Sequence, residues 1–339
     1  MLNAAVVGLG RWGQRLVEAL ASPPSEVLRF THAVVRTPGS AAEFCERHGL
    51  RLVPAERLDA LLAERSVSAL VLATPHSQHA DQVIRAARAG KHVFCEKPFT
   101  LDLESACAAV EACREAGVVL ALGHNRRFLP AMAEMKEIID SGELGEILHA
   151  EGAFSGNFGF GYLPGMWRAT QRESPAGGMT AMGIHIIDAF IHLVGPIASV
   201  RCESHRRVLS VDLDDTTSAF MRFRNGATGY LSTLTATGRI VRVQVFGTRG
   251  WLHLLDHHIL ERCDVEGNVS RREFPRVDSE RLELEAFGNA IARRQPYQVS
   301  IDEAVHGVAV MQAAFRSARE DGERVAVEEA TCRAQPVAP

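Results

Sequence analysis

From Leu2 to Gly123, short apolar runs alternate with segments in which apolar residues recur every three to four positions. The runs predict strands at Ala4–Val7, Phe30–Val35, Ala69–Ala73, Val93–Cys95 and Val118–Leu122. The periodic segments predict helices at Gln14–Ala21, Ala41–His48, Gln78–Ala89 and Leu103–Ala116, with Gly49, Gly90 and Gly117 as stops. Apolar strands alternating with helices build a parallel sheet covered on both faces. Handedness then makes the doubly wound arrangement the default.

Past residue 124 the rhythm changes. A helix is expected at Ala131–Asp140, a strand at Glu146–Phe154, a loop of glycines and aromatics from Phe154 to Met166, and a helix at Gly183–Val194 ended by Gly195. Strand candidates then crowd together: Ser199–Leu209, Thr217–Phe223, Thr228–Thr233, Val241–Phe246 and Trp251–Leu255. Asn225-Gly226 between two of them is a hairpin signal. Helices at Glu280–Arg293 and Asp302–Arg319 close the pattern. The expectation is an α/β chain: residues 1–123 as a doubly wound parallel sheet, residues 124–330 as an α+β domain with a mostly antiparallel sheet, and 331–339 as a frayed tail.

Composition narrows the class without naming a reaction. A chain of 339 residues suits two domains, and 46% apolar with 23% charged residues describes a globular protein. A formal net charge of −4 gives no general attraction to nucleic acid or an anionic membrane. No apolar stretch approaches the ~18 residues of a membrane span. The start, Met1-Leu2-Asn3-Ala4, lacks the basic region of a signal peptide. Seven scattered cysteines without a C-x-x-C pair read as buried thiols of a reducing cytoplasm, not as disulfides or zinc ligands. The remaining histidines, including His257-His258 on an apolar strand pair, lack ligand spacing with acids or cysteines, so no metal is expected.

Chemistry enters at the strand ends. Gly8-Leu9-Gly10-Arg11-Trp12-Gly13 is a G-x-G-x-x-G run placed after the first strand and opening the first helix. There the first Gly permits the tight turn, the second lets backbone N–H groups approach a pyrophosphate, and the third permits close helix–strand packing. The helix N-terminus faces the phosphates. An NAD site then needs an acid at the end of the second strand, for the ribose 2′-OH. Here that strand ends Val34-Val35-Arg36-Thr37. Arg36 and Thr37 suit a 2′-phosphate, so NADP is preferred and NAD is possible. The third strand ends Thr74-Pro75-His76-Ser77-Gln78-His79 at the carboxyl edge of the sheet, where ligands sit. Thr74, Pro75 and His79 are placed on the nicotinamide side; for His79 the other possibility is packing beneath the loop.

Glu96-Lys97-Pro98 ends another strand at the same edge. Pro98 restricts the backbone of Lys97, which fixes where the side chain starts. An ammonium in the crevice polarises a substrate oxygen and stabilises developing alkoxide charge. A surface lysine is the ordinary alternative.

These motifs, with Asn125-Arg126-Arg127-Phe128, Trp167-Arg168, Gly177-Gly178 and Gly183-Ile184-His185-Ile186-Ile187-Asp188, fall in one order along nearly the whole chain. The ordered set resembles the glucose–fructose oxidoreductase / inositol dehydrogenase (Gfo/Idh/MocA) family. The resemblance implies an N-terminal Rossmann domain and a C-terminal domain with an open sheet. It further implies NAD(P)-dependent oxidation or reduction of a sugar, cyclitol or related polyol, and a homodimer or homotetramer joined through that sheet. It carries over Lys97 as the catalytic lysine, His185 as the general acid/base and a cis Lys97–Pro98 peptide, with Glu96 and Lys97 beside the cofactor. A histidine suits that task because its pKa lies near neutrality; a satisfied core histidine is the alternative. Asn125, Arg126, Trp167 and Arg168 are placed on the substrate side. The two arginines either bind a carboxylate or phosphate, which admits an acidic sugar, or form interdomain salt bridges.

One position departs from the pattern. The family often carries an Asp four residues before the histidine, and here that residue is Ala181. Either Lys97 and His185 suffice, or another acid substitutes, or the catalysis has changed. Asp188 reads as structural in this pattern. A non-catalytic NAD(P)-binding metabolite sensor, and a redox-assisted elimination or glycoside cleavage, stay open beside the dehydrogenase.

Overall fold

The computed structural model describes residues 1–329 and Cys332; the rest of the expected frayed tail at 331–339 lies outside the described residues. The first sheet holds β1 (Leu2–Val7), β2 (Leu28–Val35), β3 (Arg51–Pro54), β4 (Ala69–Leu72), β5 (His92–Glu96) and β6 (Leu120–Gly123). Their order is β3-β2-β1-β4-β5-β6, and every pair is parallel. Around it lie α1 (Arg11–Ala21), α2 (Ala42–Arg47), α3 (Leu58–Leu62), α4 (His79–Arg88) and α5 (Leu103–Ala116). All four residues of β4 are buried, as a strand covered on both faces requires. The strand order reverses between β1 and β4, so the crevice opens beyond the carboxyl ends of those strands.

The second half runs α6 (Pro130–Asp140), β7 (Ile147–Ser155), α7 (Ile184–Val194), β8 (Ile197–His205), β9 (Thr216–Phe223), β10 (Thr228–Leu234), β11 (Ile240–Gly247), β12 (Gly250–Leu255), β13 (Ile259–Asp264), β14 (Val269–Glu273), α8 (Ser279–Ile291), α9 (Ile301–Arg319) and β15 (Val325–Ala326). Nine strands form one sheet in the order β14-β13-β12-β11-β7-β10-β9-β8-β15. Only the β7–β10 pair is parallel among the described residues. In β9, β10 and β11 burial alternates residue by residue, so one face lies on the core and the other is open. On the open face Phe220 is 62% exposed and pairs across strands with Tyr230.

Helix α7 lies on the covered face, where Gly152 of β7 leaves room for Ile186 and Phe190. A Cβ at Gly152 would overlap Ile186. Ile187 and Phe190 are fully buried, each contributing about 1.5–3 kcal/mol by burial. One apolar cluster runs from β4 and β5 through α5 to α9, α7 and the second sheet. Helix α9 thereby ties the halves together, and its Gln312 accepts from the Leu103 N–H at the start of α5 (2.7 Å).

Several expectations are corrected. The segment 51–62 forms β3 and α3, too short and mixed to show a period in the sequence. Strands β13, β14 and β15 were not expected; β14 (VSRRE) is mostly polar and exposed throughout, because it is a sheet edge. Strand β8 stops at His205 rather than Leu209, where Asp215 accepts from the N–H groups of Arg207, Val208 and Leu209. His257 and His258 sit in the turn between β12 and β13, not on strands, and His257 has φ +72°. The reading of every cysteine as a thiol fails for one pair. Cys107 on α5 and Cys332 form a disulfide with Cα atoms 4.8 Å apart. The two are 225 residues apart, so only the return of the chain to α5 brings them together. The other five cysteines are free and buried.

Candidate active site

The turn after β1 is built by close contacts. Gly8 has φ +92° and presses on the Ala73 carbonyl at the end of β4. A side chain on Gly13 would overlap the Gly8 carbonyl, so α1 can approach the turn this closely only with glycine there. Around Gly10 a Cβ would meet nothing within 4 Å, and this residue caps α1 with no side chain on its first N–H groups. No acid occupies the first turn of α1. An open, acid-free helix N-terminus of this kind fits the pyrophosphate of a dinucleotide. Arg11 is exposed beside it, and Trp12 is half-buried with an unpartnered indole N–H. Arg36 and Thr37 are exposed at the end of β2, with no acid between them and the turn.

The next strand ends line the same edge. The Thr74 hydroxyl donates to Gln82 (2.6 Å), and Thr74 and Pro75 are partly exposed to the crevice. His79 is fully buried; its ring meets the carbonyls of Thr74, Pro98 and Phe99 at 3.0–3.2 Å. It therefore braces the ends of β4 and β5 from beneath. His76, which no sequence motif singled out, takes the upper position. Its ring stands edge-on to Trp167 at 5.0 Å, with Nδ1 2.7 Å from the Glu173 carbonyl. The Glu173 carboxylate accepts from the Ser77 N–H (3.1 Å) and hydroxyl (2.5 Å). These contacts pin the 156–178 loop over the crevice, bringing Tyr162, Trp167 and Arg168 near Arg11. Arg168 lies over the Trp167 ring at 4.2 Å.

Lys97 points from the end of β5 across to the second domain. The Lys97–Pro98 peptide is cis. The Lys97 ammonium donates to the Ala181 carbonyl at 2.9 Å. Ala181 belongs to a π-helical turn, Met179–Gly183, directly before α7; such turns release backbone groups from the helical ladder. Burial lowers the Lys97 pKa to about 8, opposed by the Glu96 carboxylate. The Glu96 carboxyl points into the floor, against Gly123, where a Cβ would lie 3.0 Å away. Burial raises the Glu96 pKa to about 7 against the pull of Lys97. Behind it Glu283 of α8 is wholly buried with neither carboxyl oxygen hydrogen-bonded, and burial and Glu96 push its pKa well up.

His185 lies near the start of α7, 5% exposed, with its ring 5.8 Å from that of Phe154 and Nδ1 unpartnered. Burial, then Arg126 and Lys97, hold its pKa well below the usual histidine value. It is therefore neutral near pH 7 and able to accept a proton. Among the described residues no carboxylate contacts the ring, so none of them substitutes for the Asp absent at 181. Asp188 is 3% exposed and engaged by Arg127, whose Nε and Nη2 donate to its two oxygens at 2.9 and 2.8 Å. Arg127 also reaches Glu303 of α9 (2.9 Å) and His192 Nδ1 (2.6 Å). This network clamps α7, and with it His185.

Asn125 faces inward. Its amide donates to Glu280 (2.9 Å) and Ser279 (3.2 Å), holding α8 against the first sheet. Arg126 turns the other way, over the Phe154 ring at 4.7 Å. With His185 and His257 it lines a small cavity closed by Ile186, Val243 and Leu254. Neither Arg126 nor Arg168 forms an ion pair among the described residues, so the interdomain bridge considered for them is made by other groups.

Two family descriptions match in sequence. Residues 2–124 match the oxidoreductase family with an NAD-binding Rossmann fold, and residues 132–253 match the GFO/IDH/MocA C-terminal domain. This chain belongs to the Gfo/Idh/MocA oxidoreductases. The scyllo-inositol 2-dehydrogenase (NAD(+)) of Bacillus subtilis (strain 168) is 32% identical over 260 residues, covering 74% of this chain and 72% of that one. The aldose–aldose oxidoreductase of Caulobacter crescentus, solved with glycerol, superposes with a TM-score of 0.86 at 25% identity, over 96% of this chain and 99% of the other. Levoglucosan dehydrogenase, solved with NADH and L-sorbose, shares the fold with a TM-score of 0.87 at 22% identity, over 97% and 99%. The chain is an NAD(P)-dependent dehydrogenase acting on alcohol groups. No helix among the described residues is long and apolar enough to cross a membrane. Among them no group of His, Cys, Asp and Glu is arranged to hold a metal ion.

Proposed function

We propose that this dehydrogenase interconverts the alcohol and carbonyl of a sugar, cyclitol or related polyol, with Lys97 clamping the reacting oxygen and His185 taking or returning its proton. The observation that carries the reading is the meeting of Lys97 with the π turn that leads into His185. The ammonium sits on the turn that opens α7, near enough to lower the pKa of the His185 imidazole, and this supports a shared role for the two. The bound nicotinamide supplies hydride acceptance and donation. In oxidation the alcohol loses its C–H as hydride and its O–H proton to the His185 imidazole. The Lys97 charge stabilises the alkoxide that develops between those events. His185 is 5% exposed and Lys97 half-buried, which limits water near the reacting carbon and strengthens each interaction.

NADP is the preferred cofactor in this reading, because Arg36 and Thr37 stand where an NAD site needs an acid. We take residues 1–123 as the cofactor domain and 124–330 as the substrate domain, with two copies joining through the open face of the second sheet. Support for that face comes from the exposed Phe220 beside Tyr230.

The test is nicotinamide absorbance with a panel of sugars, cyclitols and sugar acids, using wild type and His185→Ala. Loss of a positioned acid/base group costs about 10²–10⁴ in kcat, and the Kd for NADP stays unchanged. Wild-type kcat retained by the variant removes His185 from its role. Cofactor binding without turnover across the panel favours a sensor. Product formed with only catalytic cofactor and no net reduction favours elimination.

A further inference from the structure

Two adjacent arginines in the turn after β6 have opposite surroundings. Arg127 is saturated: Asp188 takes two of its nitrogens and Glu303 a third. Arg126 has no carboxylate within ion-pair distance among the described residues. Its Nη1 donates only to the neutral Asn125 amide (3.1 Å), and its Nε is buried without a partner. The guanidinium carbon lies over the Phe154 ring at 4.7 Å, which removes water from one side of it.

Four acids act on Arg126 through space, Glu280, Glu283, Asp188 and Glu96, and none of them forms an ion pair or hydrogen bond with it among the described residues. Glu280 is taken by Arg15 and Asn125, and Asp188 by Arg127. Burial, then Glu96, push the Glu283 pKa well up, and neither of its carboxyl oxygens has a hydrogen-bond partner. Lys97, His185 and His257 also lie near Arg126, and residue 181 at the end of the Lys97 hydrogen bond is alanine. Arg168 is not part of this group, since it stands with Arg11 and Tyr162 at the α1 end.

A partly desolvated guanidinium with no carboxylate in contact leaves donors unsatisfied, and a carboxylate matches its geometry with two parallel charge-assisted bonds. A sugar hydroxyl offers only single neutral ones. We propose that the substrate carries a carboxylate and that Arg126 binds it, so that the alcohol oxidised belongs to a sugar acid or related hydroxy acid. This rests on the dehydrogenase reading of the crevice for the fate of the ligand, but not for its binding.

Calorimetric titration of the NADP complex with D-glucuronate, D-galacturonate and D-gluconate, each against its neutral aldose or alditol, tests the inference. Wild type should bind at least one acid about 10- to 100-fold tighter than its neutral counterpart, as expected for a charged hydrogen-bonded pair. In Arg126→Met that ratio should collapse toward one, and Arg126→Lys should keep part of it. Unchanged thermal unfolding and cofactor affinity show that each variant is folded. Equal binding of acids and neutral partners by wild type, or equal loss of both in Arg126→Met, overturns the proposal. Cofactor reduction is read separately. Acids that bind through Arg126 but are never oxidised leave the carboxylate site standing and remove the dehydrogenase reading. Neutral sugars oxidised without acid preference do the reverse.

Discussion

Arg127→Met should be among the most damaging single changes in the second domain, although Arg127 touches neither cofactor nor substrate in the proposed arrangement. Arg127 is 2% exposed and Asp188 3%. Removing the guanidinium leaves the Asp188 carboxylate buried without its hydrogen-bonded cation, with His124 3.6 Å away. It also removes donors to Glu303 and His192. Breaking a buried pair by deleting one partner costs about 3–5 kcal/mol. At about 2 °C per kcal/mol for a chain of this size, the melting temperature falls by roughly 6–10 °C. Asp188→Asn should cost less, because Asn keeps the shape and one acceptor while Arg127 retains Glu303. The double variant should cost less than the sum of the two. Differential scanning calorimetry on the three proteins measures this. Because Asp188 lies three residues after His185 on α7, kcat should fall with stability even at temperatures where the variant is folded. The pH dependence has a defined sign. Arg127 and His124 hold the Asp188 pKa below its ordinary 3.8, so its stabilisation is complete above that value and is lost as pH falls below it. A melting temperature within about 2 °C of wild type for Arg127→Met, or strictly additive losses, would show that the cluster is not an energetic clamp.

Three further outcomes follow from the crevice. Glu283 has a folded pKa raised well above 4.5, so its stabilising contribution is present below that value and lost as pH rises through the folded one; Glu283→Gln should therefore raise the melting temperature, with a gain that grows from acid to neutral pH, and a pH-independent difference contradicts the buried neutral acid. Lys97, with a pKa near 8, clamps oxygen only while charged, so kcat/KM should fall as pH rises through about 8. Glu96→Gln removes the carboxylate that holds that value up and should move the alkaline limb to lower pH; an unmoved limb separates Lys97 from the profile. Arg36→Ala should weaken NADP while leaving the Kd of NAD unchanged, and equal loss of both denies Arg36 a contact with the 2′-phosphate.

Most of the first sheet was legible because β1, β4, β5 and β6 are mainly apolar and the longer helices carry clear periods and glycine stops, whereas β3 and α3 are too short to show one. Helix α5 ends where the spacing placed it. Legibility failed where a tertiary neighbour decides. Strand β14 has no apolar face to read, and β15 is two residues held by β8. His79 and His76 lie three residues apart at the same strand end, and no local pattern distinguishes the one that braces from the one that faces Trp167. Nothing in the sequence sets Glu283 apart from the other acids of α8; its burial follows from the docking of α8 against Asn125 and Glu96.

Sequence alone determined the glycine turn, the lysine and proline at the end of β5, the histidine before an apolar helix, and the alanine at 181. Each depends on residue type at a local position, and local stereochemistry constrains such positions strongly. Tertiary structure decided what those residues meet. The Lys97 ammonium finds a backbone carbonyl at residue 181, His185 is buried enough to stay neutral, and of two neighbouring arginines one is saturated and the other left free. Those outcomes depend on burial and on partners dozens of residues away, and a one-dimensional pattern carries neither quantity.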